Sequence, residues 1–347
     1  MRAALIFAAA YVKLSYLVHL AIAGDVHVSA GQSIQAAINA AQQGDKIIVG
    51  AGSYAEQLTI NKDSVSLVGH GAILVPPAIP GQNLCSGLAG NDTEAGICIE
   101  GSEVVLAPYL AEHRKVTSVG HPVVDISVTG FQVQGFSGEN IAVVGAQDVH
   151  ITDNWLYDGG QYGFLAAGSK GTRFVNNAVV SSGQIRFIAI CTDEADVQVL
   201  HNHISGYVVG LCIQTPGSTI QYNDVSGCCV GAFIDPRVDG AKLRYNYIGA
   251  TDPSCATDWP FSSGVIVDGA VNSQVQFNVI ESQSAGGSAA GIGLIDELTV
   301  DPIAVASGNV VTLNTLRNND LDLYVNTTGA GNVVAENICS TPAELCT

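Results

Sequence analysis

Ile151-Thr-Asp-Asn154-Trp-Leu156 returns 23 residues later as Phe174-Val-Asn-Asn177-Ala-Val179, and the same frame then recurs down the chain. An apolar residue, two variable ones, Asn, one variable residue and a second apolar one also stand at Val199…Asn202…Ile204, Ile220…Asn223…Val225 and Leu243…Asn246…Ile248. Val275…Asn278…Ile280, Val311…Asn314…Leu316 and Val334…Asn337…Cys339 complete the series, with asparagine spacings of 23, 25, 21, 23, 32, 36 and 23. A period of 20–25 residues built of short β-runs without helix is that of a parallel β-helix, in which each coil pairs with the coils above and below. Identical residues then stack about 4.8 Å apart. Asparagine suits such a ladder, because it tolerates left-handed turns and its amide bonds to the next asparagine along. The leucine consensus of leucine-rich repeats, which share this period, is absent. The asparagines are therefore read as architecture.

Composition agrees. The 347 residues are 13% charged and 47% hydrophobic, with 39 glycines against one methionine, which excludes a disordered chain or a charged helical bundle. The net charge of −18 repels phosphate backbones and anionic membranes, so neither nucleic acid nor a membrane surface is an expected partner. Residues 1–23 read as a signal peptide: Arg2, an apolar stretch, then Ala21-Ile-Ala23 before Gly24. Removing them deletes two positive charges and leaves 11 against 31, or −20. The mature chain is expected to be secreted and monomeric. All nine cysteines follow the signal, as suits an oxidising compartment. Cys85 with Cys98 and Cys339 with Cys346 are expected staples. Cys255 reaches Cys228 or Cys229, and Cys191 with Cys212 is a fourth candidate pair. Asn91-Asp-Thr93 and Asn326-Thr-Thr328 are glycosylation acceptors by sequence.

Upstream of the repeats, Ile34, Ala37, Ile38 and Ala41 share one helical face. This predicts an N-terminal helix that covers the open end of the solenoid. Gly31-Gln-Ser-Ile-Gln-Ala-Ala-Ile38, then Gly44-Asp-Lys-Ile-Ile-Val49, Gly52-Ser-Tyr-Ala-Glu56 and Val65-Ser-Leu-Val-Gly69 resemble the first coil of right-handed parallel β-helix proteins of the pectin-lyase-like superfamily. That superfamily includes pectate lyases, polygalacturonases and pectinesterases. The resemblance implies an all-β, right-handed parallel β-helix with a capping helix, one domain over residues 24–347, with loop insertions at 76–97, 107–122, 249–263 and 281–308. It implies no single activity. Cys-Thr-Asp193 only echoes the Asn-Thr-Asp of polygalacturonases, and Gly69-His-Gly71 stands too early to be their Gly-His-Gly.

Aligning coils on their asparagines gives the segments Cys-Thr-Asp193, Cys-Ile-Gln214, Phe-Ile-Asp235, Ile-Val-Asp268 and Leu-Ile-Asp296. Stacked carboxylates about 5 Å apart repel, so a proton, an arginine or a hard cation such as calcium must intervene. Asp235, Asp268 and Asp296 are the acid/base candidates, with Asp193, Gln214 and Arg237 as substrate-binding or charge-balancing partners. The residues two positions earlier, Cys191, Cys212, Phe233, Ile266 and Leu294, form either core or an outer apolar strip. Trp259 and Phe261 are candidate sugar-stacking aromatics. Together these features predict a secreted carbohydrate-active enzyme, a glycoside hydrolase or polysaccharide lyase. A non-catalytic β-helix that binds cell-wall glycan and an enzyme for a small apolar molecule are the alternatives.

Overall fold

The computed structural model describes residues 24–255 and 262–346; residues 1–23, the expected signal peptide, lie outside them. Among the described residues, thirty strands join one continuous sheet whose neighbours run parallel. Each strand pairs with its counterpart one coil away. Ile151, for example, lies between Val128 and Phe174, and Ile220 between Val199 and Leu243. The sheet winds into a solenoid, and the apolar partners in these registers fill its interior: Val128, Ile151, Phe174, Val199, Ile220 and Leu243 are fully buried.

The asparagine ladder forms as the spacing predicts. Each backbone N–H and side-chain Nδ2 from Asn154 to Asn314 donates to Oδ1 of the next asparagine at 2.8–3.2 Å, through Asn177, Asn202, Asn223, Asn246 and Asn278 to Asn337. Every one of these side chains is buried, so the ladder satisfies polar groups that the bend would otherwise orphan. The residue before each ladder asparagine takes a left-handed conformation, as at His201, Tyr222, Tyr245 and Phe277. Their rings stack on the outside, with centroids 4.9–5.3 Å apart. A second row consists of Gly210, Gly231, Gly264 and Gly291. A Cβ on any of them would come within 2.6–2.7 Å of a carbonyl oxygen one coil away, so only glycine lets the coils close there.

The helix Ile34–Ala40 buries Ile34 and Ile38 in the main core, against the strands of the first coil. Glu56 gives the shared Gly-x-Tyr-x-Glu segment a physical role. Its carboxylate accepts from Ser33 Oγ and from the backbone N–H groups of Ile34 and Gln35, all within 3.0 Å, which caps the helix N-terminus. Three disulfides join Cys85–Cys98, Cys229–Cys255 and Cys339–Cys346. Cys191, Cys212 and Cys228 are thiols. The fourth candidate pair, Cys191 and Cys212, is not bridged in this structure, and its sulfurs face each other 2.7 Å apart in register on neighbouring strands.

Candidate active site

The outer face of one strand column carries the site. Ala167 pairs with Asp193. The registers Thr192 with Ile213, Ile213 with Ile234 and Ile234 with Val267 then bring Asp193, Gln214, Asp235 and Asp268 into one row. The fifth member is corrected: Asp268 pairs with Ile295, not Asp296. The turn from this coil to the next is 27 residues, as the Gly264–Gly291 spacing also records; matching carboxylates makes it 28. One residue of slip reverses a side chain in a strand. Asp296 accordingly turns to the backbone N–H groups of Ala306 and Thr328 and the hydroxyls of Thr327 and Thr328. Although burial opposes it, this set of donors holds its carboxyl down at about 2. Asp296 is a turn residue, outside the acid/base row. The same slip moves Leu294 into the core, and Gly293 takes its place on the outer strip.

The charge on the row is handled by a loop. Residues 107–122 contain the compact basic run His113-Arg-Lys115, and a small antiparallel hairpin, Val105–Leu106 with Val116–Ser118, carries it across the outer face. Gly168, at φ +58°, lets it land, since a Cβ there would lie 2.4 Å from Val116. Arg114 is spent within the loop, donating to the carbonyls of Ala107 and Leu106. Lys115 Nζ donates to Asp193 Oδ2 at 3.0 Å and to Gln214 Oε1 at 2.6 Å. His113 Nε2 lies 3.0 Å from the same Asp193 oxygen, and its Nδ1 is 3.5 Å from the Tyr162 hydroxyl. The Gln214 amide nitrogen donates both to Asp235 Oδ2 at 2.8 Å and to Glu112 Oε2 at 2.5 Å.

These contacts push neighbouring carboxyls in opposite directions. Burial alone would raise Asp193, but the His113 hydrogen bond and the Lys115 charge hold it below the usual carboxylate range. Burial, reinforced by the charge of Glu112, lifts Asp235 to about 8. Burial also lifts Asp268, which the neighbouring Glu297 carboxyl helps bring to about 7, while hydrogen bonds from Thr299 hold Glu297 below its ordinary value. The row thus has an ionised Asp193 and a protonated Asp235 at neutral pH. A lysine and shared protons offset the repulsion. Among the described residues no group of three or more His, Cys, Asp or Glu side chains is placed to hold a metal ion. Arg237 is not the neutraliser: it is exposed and donates to the Pro302 carbonyl, pinning the neighbouring loop.

The strip beside the row divides in two. Cys191 and Cys212 are outer-face residues buried under the Cys85–Val119 segment, packed with Cys85, Leu88, Cys98 and Leu165. Phe233, in register with Cys212 and Ile266, is half-buried where that cover ends. Trp259 and Phe261 lie outside the described residues. Glu112, His113, Tyr162 and Glu297 join the site unforeseen. Only the isolation of the His113-Arg-Lys115 run as a basic cluster in an acidic chain hinted at the loop's part.

Residues 139–297 match the family described as the right handed beta helix region. No curated protein sequence matches the chain at a significant level. Solved structures of similar shape include the A-module of a mannuronan C-5 epimerase from Azotobacter vinelandii, AlgE6, at 16% identity and a TM-score of 0.53, covering 87% of this chain and 91% of that one. An alginate lyase from Paenibacillus sp. str. FPU-7 is 12% identical with a TM-score of 0.54, over 88% and 99% of the two chains. A DFA-IIIase from Arthrobacter chlorophenolicus A6 is 12% identical with a TM-score of 0.52, over 83% of each. At such identities the likeness is one of fold. With the repeat, the ladder and the winding of the sheet, it gives this chain the fold of a right-handed parallel β-helix.

Proposed function

We propose that the protein is a secreted, carbohydrate-active enzyme that hydrolyses a glycosidic bond, with Asp235 as general acid and Asp193 as general base. The observation that carries this reading is the placement of two half-buried carboxyls on one row in opposed environments, Asp193 against Lys115 and His113 and Asp235 buried beside Glu112. Environments that drive two carboxyls apart assign acid and base. Asp235 accepts from Gln214 through Oδ2, which leaves Oδ1 to carry the proton delivered to the leaving oxygen. Asp193 stands two coils away, about 9.6 Å along the rod. That is close to the separation of roughly 6.5–9.5 Å which leaves room for an attacking water in inverting glycosidases. The solved neighbours named for an epimerase, a lyase and a DFA-IIIase support carbohydrate as the general substrate class.

Elimination fits these side chains less well. It needs an accessible base beside a sugar carboxylate, yet Lys115 is held charged by Asp193 against the pull of burial. His113 has no exposed side-chain surface and faces Asp193. Lys115, half exposed, is instead suited to a single anionic or hydroxyl group of the substrate. The three disulfides and the leader-like first 23 residues support export. Release of reducing ends from a panel of neutral and acidic polysaccharides, with product absorbance followed in parallel, tests the reading. New reducing ends without unsaturated products are expected. Unsaturated products would replace hydrolysis by elimination, and binding without any product would make the protein a glycan-binding β-helix.

A further inference from the structure

Among the described residues, the row is covered on one side and open on the other. From the coil of Cys98 to that of Cys212, the outer face lies under the Cys85–Val119 segment, and Cys191 is 0% exposed. Glu112, His113 and Lys115 stand at the edge of this cover, directly on Asp193 and Gln214. On the other side the same strip continues as Phe233, Ile266, Gly293 and Tyr324, one residue per coil, and Tyr324 is 45% exposed. A cavity of about 340 Å³ opens there, lined by Ile266, Ser288, Gly293, Ile295 and Tyr324. It begins one coil, about 5 Å, beyond Asp235 and extends over about two coils more.

The geometry points to a cleft that is blind at the Lys115 end, so that the enzyme takes the end of a glycan chain or a short oligosaccharide and does not cleave internally. The residues next to the scissile bond lie over Ile266 and Gly293 and against the Tyr324 ring. An apolar floor with a few hydroxyls at its rim is the lining that carbohydrate rings and small ligands use. Lys115, at the closed end, faces the terminal residue. An internal segment of a polymer would have to pass through the space filled by Glu112 and His113. Gly293 sets the depth of the cleft, since a Cβ there meets nothing nearer than 3.9 Å.

This inference rests on the hydrolase reading, and the experiment separates the two. End-labelled oligosaccharide ladders and the parent polymers, from neutral and uronic-acid glycans, are given to the wild type and to Gly293→Trp, a substitution with room to fit. Removal of residues from one end of the ladder, with little fall in polymer viscosity, is expected. Gly293→Trp should lose at least 10-fold in kcat/KM while its Tm stays within about 2 °C of wild type. A rapid fall in viscosity from internal cleavage, or unchanged turnover by Gly293→Trp, would overturn the inference. If the wild type turns over nothing, the hydrolase reading falls, and calorimetric titration with the same ladders decides the cleft. Binding that Gly293→Trp abolishes sustains it, and binding that Gly293→Trp leaves intact, or none at all, removes it.

Discussion

Asp235→Asn should make the protein more stable at neutral pH while removing most of its activity. Burial and Glu112 lift the Asp235 carboxyl to about 8 from an ordinary 3.8. In the unfolded chain the group ionises near 4, whereas in the folded state it stays protonated until about 8. Between those values the folded state binds more protons, so the wild type loses stability as pH rises from about 4 to about 8 and levels off above. Each unit is worth about 1.4 kcal/mol, and the span of about 4 units sets a ceiling of about 6 kcal/mol. The side chain is reached by solvent, so we expect about 2 kcal/mol. Unfolding entropy for a chain of this length, about 0.7 kcal/mol per K, turns that into about 3 °C. Asparagine keeps the acceptor for Gln214 and cannot ionise. Thermal melts of both proteins from pH 4 to 9 should coincide at the acid end and diverge toward pH 8, with the variant higher. A variant that melts lower at pH 8, or a constant difference across the range, would refute the argued environment. Loss of the general acid should slow turnover by about 10²–10⁴-fold.

Lys115→Met removes the cation that Asp193 and Gln214 share. Asp193 should then titrate higher, moving the acid limb of the rate profile up, with the stability deficit largest where Asp193 is ionised; an unmoved acid limb would count against Lys115. Asp296→Asn should leave activity intact and cost about 1–3 kcal/mol at pH 7, because its carboxylate serves two backbone amides and two hydroxyls. That cost should vanish as pH falls from about 4 toward 2, where the wild-type carboxyl is itself protonated, and urea titrations at each pH measure it. Asn223→Ala breaks four buried hydrogen bonds within the ladder and is expected to cost about 2–5 kcal/mol in the same titrations. A loss below about 1 kcal/mol would mean the ladder only decorates the bend.

The asparagine ladder was legible because its spacing is a property of the chain itself, repeated at Asn154, Asn177, Asn202 and onward. The row from Asp193 to Asp268 followed from the same period. It failed at Asp296 because chemical identity was allowed to set the register. The glycines at 264 and 291, which close the coils, carry the true offset. Alternation could not orient Cys191 and Cys212, since residues on both faces of that strand are apolar. The face is decided by a cover that comes from residues 85–119. Lys115 and His113 reach Asp193 across 78 and 80 residues, through a loop whose landing place no local pattern encodes. The opposed protonation of Asp193 and Asp235 depends on that landing. It became visible only in three dimensions.

The dependence of kcat/KM on pH, measured on whichever glycan the wild type hydrolyses, bears most directly on the pairing of Asp193 with Asp235. The account predicts a bell whose acid limb lies below the ordinary aspartate range, from Asp193, and whose alkaline limb lies near pH 8, from Asp235. In Asp235→Asn the residual activity should keep the acid limb and lose the alkaline one. An alkaline limb that persists unchanged in Asp235→Asn, or full activity in that variant, would contradict the assignment of Asp235 as the acid.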